Sequence, residues 1–278
     1  MDTHYIFLDV DGTLVTYENE LPVSAVKAIK QAQKNGHKVY TVTGRSKAEM
    51  YEEILSIGFD GYIGGNGSYI ESDDKVVSER TLTYDDCRKV VDWLNEKELE
   101  FYLESNDGLY GSKHFAEKAE KTIQIYAPRK GNTDSDMITV KDAFPDMIFS
   151  DELYRDKINK ISFLLNNHDD YLEAREMFSE FKVGTWGGAG ETALFGDVAL
   201  SNIDKSTAIS LLMKHINETG SKTIAFGDAK VDIPMLDHCQ IGVAMGNGGP
   251  EIREMADYIT DDVTEDGLYN AFKHFGLI

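Results

Sequence analysis

Strand-like and helix-like runs alternate at both ends of the chain, and no other feature limits the possible folds as much. Tyr5 to Val10 is a short apolar run that predicts a buried strand. After it, Val23, Val26, Ile29 and Ala32 recur at helical spacing until Asn35-Gly36 interrupts them. Lys38 to Thr43 predicts a second strand, Met50, Ile54 and Ile57 a second helix ending at Gly58, and Tyr62-Ile63 a third strand before the turn signal Asn66-Gly67. The last third repeats the rhythm, with Ala208, Ile209, Leu212 and Ile216 on a helix, Thr223 to Phe226 and Ile241 to Met245 as strands, and a final helix from about Leu268. Alternation of this kind predicts an α/β domain, a doubly wound and mainly parallel sheet with helices on both faces.

The middle of the chain has a different texture. Thr83 and Asp86 form a capping-box pattern ahead of Trp93 and Leu94, Phe101 to Leu103 reads as a strand, and Ile158 to Leu165 is a longer one followed by a helix through Leu172 and Phe178. Residues 82–198 are therefore expected to form an inserted α+β unit, a cap, between the two parts of one core, residues 1–81 and 199–278. Within the insertion, Ala127 to Ser135 is expected to be an irregular loop.

Charge excludes some partners. With 28 Lys+Arg against 49 Asp+Glu the formal net charge is −21, which repels nucleic acid and anionic membrane surfaces. A phosphorylated ligand remains compatible if a metal and a few placed cations reverse the field locally. Cys87 and Cys239 match no disulfide framework or metal-ligand spacing, and no run is apolar enough to span a membrane. A soluble cytoplasmic protein, a monomer or small homo-oligomer, is the expectation.

The candidate chemistry sits where predicted strands end. Asp9-Val10-Asp11-Gly12-Thr13 follows the first strand, at the carboxyl edge where α/β sheets bind ligands. Its two carboxylates can converge on a hard cation and a substrate, although the same residues also read as an acidic turn. Thr43-Gly44-Arg45 ends the second strand, where a hydroxyl and backbone N–H groups can bind phosphate oxygens or Thr43 and Ser46 can simply cap a helix. Lys205 opens a helix, a position the macrodipole disfavours unless an anion lies near, as against a solvated surface lysine. Gly227-Asp228-Ala229-Lys230-Val231-Asp232 adds Asp228 as a possible metal ligand and Asp232 as an anchor behind it.

In this order the motifs resemble those of the haloacid dehalogenase (HAD) superfamily, in its Cof-like branch of sugar-phosphate phosphatases. The matching elements are DxDGT at Asp9, T/S-G-R at Thr43, a lysine at 205 and GDxxxD at Gly227. Further matches are Asn66-Gly67-Ser68, Val243-Ala244-Met245-Gly246-Asn247, Ala256-Asp257 and Glu265-Asp266-Gly267. The resemblance implies a HAD-like Rossmannoid core with a mobile cap that sets specificity, and a Mg²⁺-dependent phosphatase. Asp9 would be nucleophile and metal ligand. Asp11 would be the acid/base, its backbone carbonyl also touching the metal, with Asp228 the third ligand and Asp232 outside it. Thr43, Gly44, Arg45, Asn66, Lys205 and Asn247 would bind phosphate or substrate, Lys205 also balancing Asp9.

Two positions depart from the branch: Val231 replaces an Asn near the cation, and Ser206 replaces a Gly after the lysine. The expected reaction runs through an aspartyl-phosphate on Asp9, and Asp11 needs a carboxyl of modestly raised pKa. Asn106, Asp107, Lys160 and Trp186 are the cap residues expected to face the substrate, as against ordinary cap surface or core. His4 and His37 read as structural. A phosphomutase on the same scaffold and a non-catalytic sensor of a phosphorylated metabolite are the competing readings.

Overall fold

The first strand, β1 (His4–Leu8), is buried from Tyr5 onward and pairs in parallel with a neighbour on each side, so both of its faces need cover. Side-chain alternation divides it. Ile6 and Leu8 join one apolar cluster, Tyr5 and Phe7 another. The computed structural model describes residues 2–126, 138–188, 190–220 and 222–278. They form two compact units, residues 1–45, 50–79 and 203–278 in one and 46–49 and 80–202 in the other.

In the first unit β1 is followed by α1 (Val23–Lys34), β2 (Lys38–Val42), α2 (Glu52–Leu55), β3 (Gly61–Gly64), β4 (Tyr69–Ser72) and β5 (Lys75–Glu79). The helix expected around Met50, Ile54 and Ile57 is reduced to the single turn of α2.

The second unit contains α3 (Tyr84–Glu96), β6 (Phe101–Ser105), β7 (Leu109–Gly111), α4 (Phe115–Tyr126), α5 (Val140–Ala143), β8 (Met147–Phe149), β9 (Ile158–Leu164), α6 (His168–Met177), β10 (Lys182–Trp186) and β11 (Phe195–Ala199). Its six-stranded sheet has the order β10-β11-β9-β6-β7-β8 and is antiparallel except between β7 and β8. Phe101, Leu103, Ile161 and Phe163 pack with Val90, Leu94 and Ala174 of α3 and α6, while Tyr102, Leu164 and Phe195 pack with Phe115 and Ile123 of α4. The loop expected at residues 127–135 lies outside the described residues.

The chain then completes the first unit with α7 (Lys205–His215), β12 (Lys222–Gly227), α8 (Ile233–His238), β13 (Ile241–Ala244), α9 (Pro250–Met255), β14 (Tyr258–Ile259) and α10 (Gly267–His274). The eight strands run β14-β13-β12-β1-β2-β3-β4-β5, parallel from β14 to β3 and antiparallel beyond. Ala28 and Ile29 of α1 and Phe272 of α10 cover one face, and Ala208, Ile209 and Leu212 of α7 with Met235 and Leu236 of α8 cover the other. The sheet is doubly wound, and its parallel strands all open their carboxyl ends on one edge.

Candidate active site

Asp9 and Asp228 each follow the last residue of one of two paired parallel strands, β1 and β12, and both are buried. Asp9 is fixed by its own backbone, whose N–H donates to the Phe226 carbonyl at 3.0 Å. Asp232 arrives one turn after Asp228, because Gly227 leaves room: a Cβ there would stand 2.5 Å from Asp232 Cβ. Its Oδ2 accepts from the N–H groups of Asp228 (3.2 Å) and Ala229 (3.0 Å), closing the turn that carries Asp228. The carboxylates of Asp9, Asp228 and Asp232 bring oxygens within 4.8 Å of one another.

Lys205 enters this cluster from the first residue of α7. Asp204 caps that helix by accepting from Thr207 N–H at 2.7 Å, and Ser206 Oγ donates to the same Asp204 oxygen at 2.7 Å. The Nζ of Lys205 lies 2.6 Å from Asp9 Oδ1 and 2.5 Å from Asp232 Oδ1, with its side chain only 1 % exposed. Burial alone would push this ammonium down, but Asp232 and Asp9 outweigh it and raise its pKa. Burial and then the charge of Asp232 push the Asp9 carboxyl well above the ordinary carboxylate range, with Lys205 pulling against them. Three buried carboxylates around one ammonium therefore leave an excess of negative charge. The donors are all hard oxygen, so the set fits Mg²⁺ better than a thiolate- or imidazole-seeking metal.

Asp11 stands outside that cluster. Arg45 holds it by a two-pronged ion pair, Nε to Oδ2 at 3.0 Å and Nη2 to Oδ1 at 2.7 Å, the fork geometry that suits a carboxylate. Among the expected metal residues, then, Asp9 and Asp228 share the carboxylate cluster with Asp232, while the Asp11 side chain is committed to Arg45.

Thr43, Gly44 and Asn66 come together beside Arg45. Thr43 Oγ1 accepts from Arg45 N–H at 3.1 Å, its carbonyl accepts from Asn66 N–H at 2.9 Å, and a Cβ on Gly44 would lie 3.3 Å from Asn66 Oδ1. Asn66 takes a left-handed φ of 55°, and its buried Oδ1 accepts no hydrogen bond among the described residues. Asn247 is placed differently from the others. Its Nδ2 donates to the Gly12 carbonyl at 2.7 Å and its Oδ1 accepts from Val263 N–H at 3.0 Å, so the side chain braces the Asp11-Gly12 turn. Val231 is 49 % exposed.

The expected cap residues belong to the second unit. Asn106 Oδ1 accepts from Lys47 N–H at 3.2 Å and Asp107 Oδ1 from Ser105 Oγ at 2.5 Å, while Trp186 stacks on Phe195 with ring centroids 3.8 Å apart. Lys160 pairs with Glu104 at 3.2 Å across neighbouring strands, and Ser162 Oγ donates to Glu104 at 2.7 Å.

Sequence reasoning gave Thr13 no role beyond its place in the DxDGT motif and passed over Tyr17 and Asn19. Thr13 Oγ1 donates to Asp228 Oδ1 at 3.2 Å, the Tyr17 phenol donates to Asp228 Oδ2, and Asn19 Oδ1 accepts from Arg45 Nη2 at 2.5 Å. Burial first, and then the charge of Asp228, raise the Tyr17 pKa and keep the phenol a donor. For Tyr17 and Asn19 the only sequence signal was proximity, both falling within ten residues of Asp9.

A family model described as haloacid dehalogenase-like hydrolase matches residues 6–272. The chain belongs to that family, in its Cof-like branch, and is a phosphatase. It is 27 % identical to YkrA of Bacillus subtilis (strain 168), over the whole of both chains. It is 26 % identical to the 5-amino-6-(5-phospho-D-ribitylamino)uracil phosphatase YcsE of the same strain, covering 100 % of this chain and 97 % of that one. Among solved structures it resembles the HAD subclass IIB sugar phosphatase BT4131, at 25 % identity and a TM-score of 0.75 over 99 % of this chain and 100 % of the other. Among the described residues no helix is long and apolar enough to cross a membrane.

Proposed function

We propose that this enzyme hydrolyses small phosphorylated metabolites, sugar phosphates foremost, in a Mg²⁺-dependent reaction through a phosphorylated Asp9. The observation that carries this reading is the buried Lys205 ammonium seated on Asp9 and Asp232 beside Asp228. Such a cluster suits a nucleophilic carboxylate whose charge must be balanced while phosphoryl oxygens approach. Asp9 and Asp228, with the backbone of Asp11, are the residues that would hold the cation. Asp232, engaged with Lys205 and two backbone N–H groups, keeps them in place from behind. Bound there, Mg²⁺ supplies neutralisation of phosphoryl charge.

Asp9 attacks phosphorus, and the Asp9 O–P bond forms as the ester P–O bond breaks. Asp11 gives the departing alcohol its proton. Asp11 then takes a proton from water, whose oxygen attacks the same phosphorus, and the Asp9 O–P bond breaks to release phosphate. In this scheme the arriving phosphoryl group takes over the Arg45 fork from Asp11, freeing it for proton transfer, while Thr43, Gly44 and Asn66 contribute to the phosphate cradle. The second unit, residues 46–49 and 80–202, selects the leaving group. The sugar preference is supported by the likeness to a subclass IIB sugar phosphatase. A cytoplasmic location agrees with two buried free cysteines.

The test is phosphate release from a panel of sugar phosphates, nucleotides and pyridoxal phosphate, with rapid quench and intact-mass measurement to look for phosphorylated Asp9. Release with transient phosphorylation is expected. A panel that yields no phosphate, or turnover by Asp9→Asn, overturns the reading.

A further inference from the structure

One tight turn reaches two residues of the site at once. Thr16 Oγ1 accepts from the N–H groups of Glu18 and Glu20, both at 3.2 Å, and Thr16 N–H donates to the Glu20 carbonyl at 2.9 Å. Asn19 takes a left-handed φ of 64° to close it. The turn sends the Tyr17 phenol to Asp228 Oδ2 and Asn19 Oδ1 to Arg45, which holds Asp11. Gly12 makes the approach possible: at φ +78° a Cβ there would lie 2.5 Å from Asp228 Oδ2 and 2.8 Å from the Tyr17 ring.

Hydrogen bonds from Thr13 to one oxygen and Tyr17 to the other hold both ends of the Asp228 carboxylate that would coordinate a cation. They also fix the plane in which it does so. We propose that Tyr17 is a positioning residue of the cation site, orienting Asp228 for Mg²⁺ through its phenol, with the Thr16–Glu20 turn as its mount. This rests on the reading of Asp9 and Asp228 as the residues that hold Mg²⁺.

Calorimetric titration of Mg²⁺ into metal-free wild type, Tyr17→Phe and Thr16→Val proteins, without substrate, tests it. Tyr17→Phe should weaken Mg²⁺ binding by roughly 10–100-fold, the usual cost of losing a partner that orients a ligand. Thr16→Val, which keeps the phenol but loosens its mount, should weaken it less. Tyr69→Phe is the control, because it removes a similar bond of 2.6 Å, to Glu71 on β4, and should leave Mg²⁺ affinity unchanged. Equal or tighter binding by Tyr17→Phe, or the same loss in Tyr69→Phe, overturns the proposal. If Tyr17→Phe does not fold, unchanged affinity in Thr16→Val overturns it. Wild type that binds no Mg²⁺ removes both the cation site and the role of Tyr17. Wild type that binds Mg²⁺ tightly while Tyr17→Phe binds it equally removes Tyr17 alone.

Discussion

Each unit buries carboxylates around a single lysine, yet the two clusters differ in kind. In the first, Lys205 meets Asp9 and Asp232, and Asp228 adds a third carboxylate. In the second, Lys160 pairs with Glu104 and feels Asp197 and Glu49 nearby. Asp9 and Asp228 lie at strand ends, where the chain turns and side chains from distant segments can converge. Glu104, Lys160 and Asp197 lie within strands, where cross-strand register pairs Glu104 with Lys160 and Ser162 with Asp197 and holds side chains in rows. Among the described residues, only the first cluster brings oxygens of three carboxylates within 4.8 Å of one another. Buried charge alone does not gather three carboxylates at one point; convergence at strand ends does.

The sharpest way to break the comparison is Asp9→Asn, which keeps the shape but removes the proposed nucleophile. Turnover should fall by roughly 10⁴-fold or more, as for other nucleophile losses. A residual rate within about tenfold of wild type would place the chemistry elsewhere.

Next in size is the pair Lys205→Met and Lys160→Met, compared by chemical denaturation with and without Mg²⁺. Each leaves buried carboxylates without their cation, at a cost of about 3–5 kcal/mol for a fully buried pair and less for Lys160, whose side chain is 20 % exposed. Mg²⁺ should restore much of the stability lost by Lys205→Met and none of that lost by Lys160→Met. Equal rescue of both would erase the distinction between the clusters.

A smaller effect comes from Glu49. Burial, then the charge of Glu104, push its carboxyl up to about 7, so the folded chain holds a proton that the unfolded chain gives up near 4.5. Stability must then fall as pH rises from about 4.5 to 7, by on the order of 1–3 kcal/mol. Glu49→Gln should flatten that slope in unfolding curves recorded at pH 5 and pH 8, and parallel slopes in both proteins would refute it.

The smallest effect has the opposite sign and belongs to the first unit. His4 N–H donates to His37 Nδ1 at 3.1 Å, and burial lowers both imidazole pKa values below 6.5. The folded state resists protonation, so stability is lost as pH falls through about 6.5. His37→Gln should lessen this acid loss between pH 7 and pH 5.5 in thermal melts. An unaltered acid limb would exclude the pair as its source.

Much of this was legible in the sequence, for reasons that also explain the gaps. β1, β2, β12 and β13 are near-continuous apolar runs because both sheet faces are covered, and α1 and α7 show one apolar stripe each. The hairpin of β4 and β5 was not foreseen. Its two-residue turn is Asp73-Asp74, at φ 47° and 58°, without the usual glycine, and β5 is largely exposed, so neither turn nor strand announces itself. In the site, Asp9, Asp228 and Lys205 could be read because each stands in a recognisable motif beside a strand or helix end. Tyr17 could not, since its meaning depends on a residue 211 positions away. The same holds for Asp11, whose partner Arg45 lies in a motif that sequence assigned to phosphate.

The pairing of β1 with β12 also sets an order on synthesis. Lys205 follows Asp9 by 196 positions, and the Asn247 brace on the Gly12 carbonyl is separated from it by 235. Residues 80–202 are complete before any of these partners exists. A nascent chain stalled short of Asp228 can therefore carry every residue of the second unit while Asp9 still lacks both carboxylates of its cluster. The carboxylate cluster is therefore completed late in translation, after every residue of the second unit has been made.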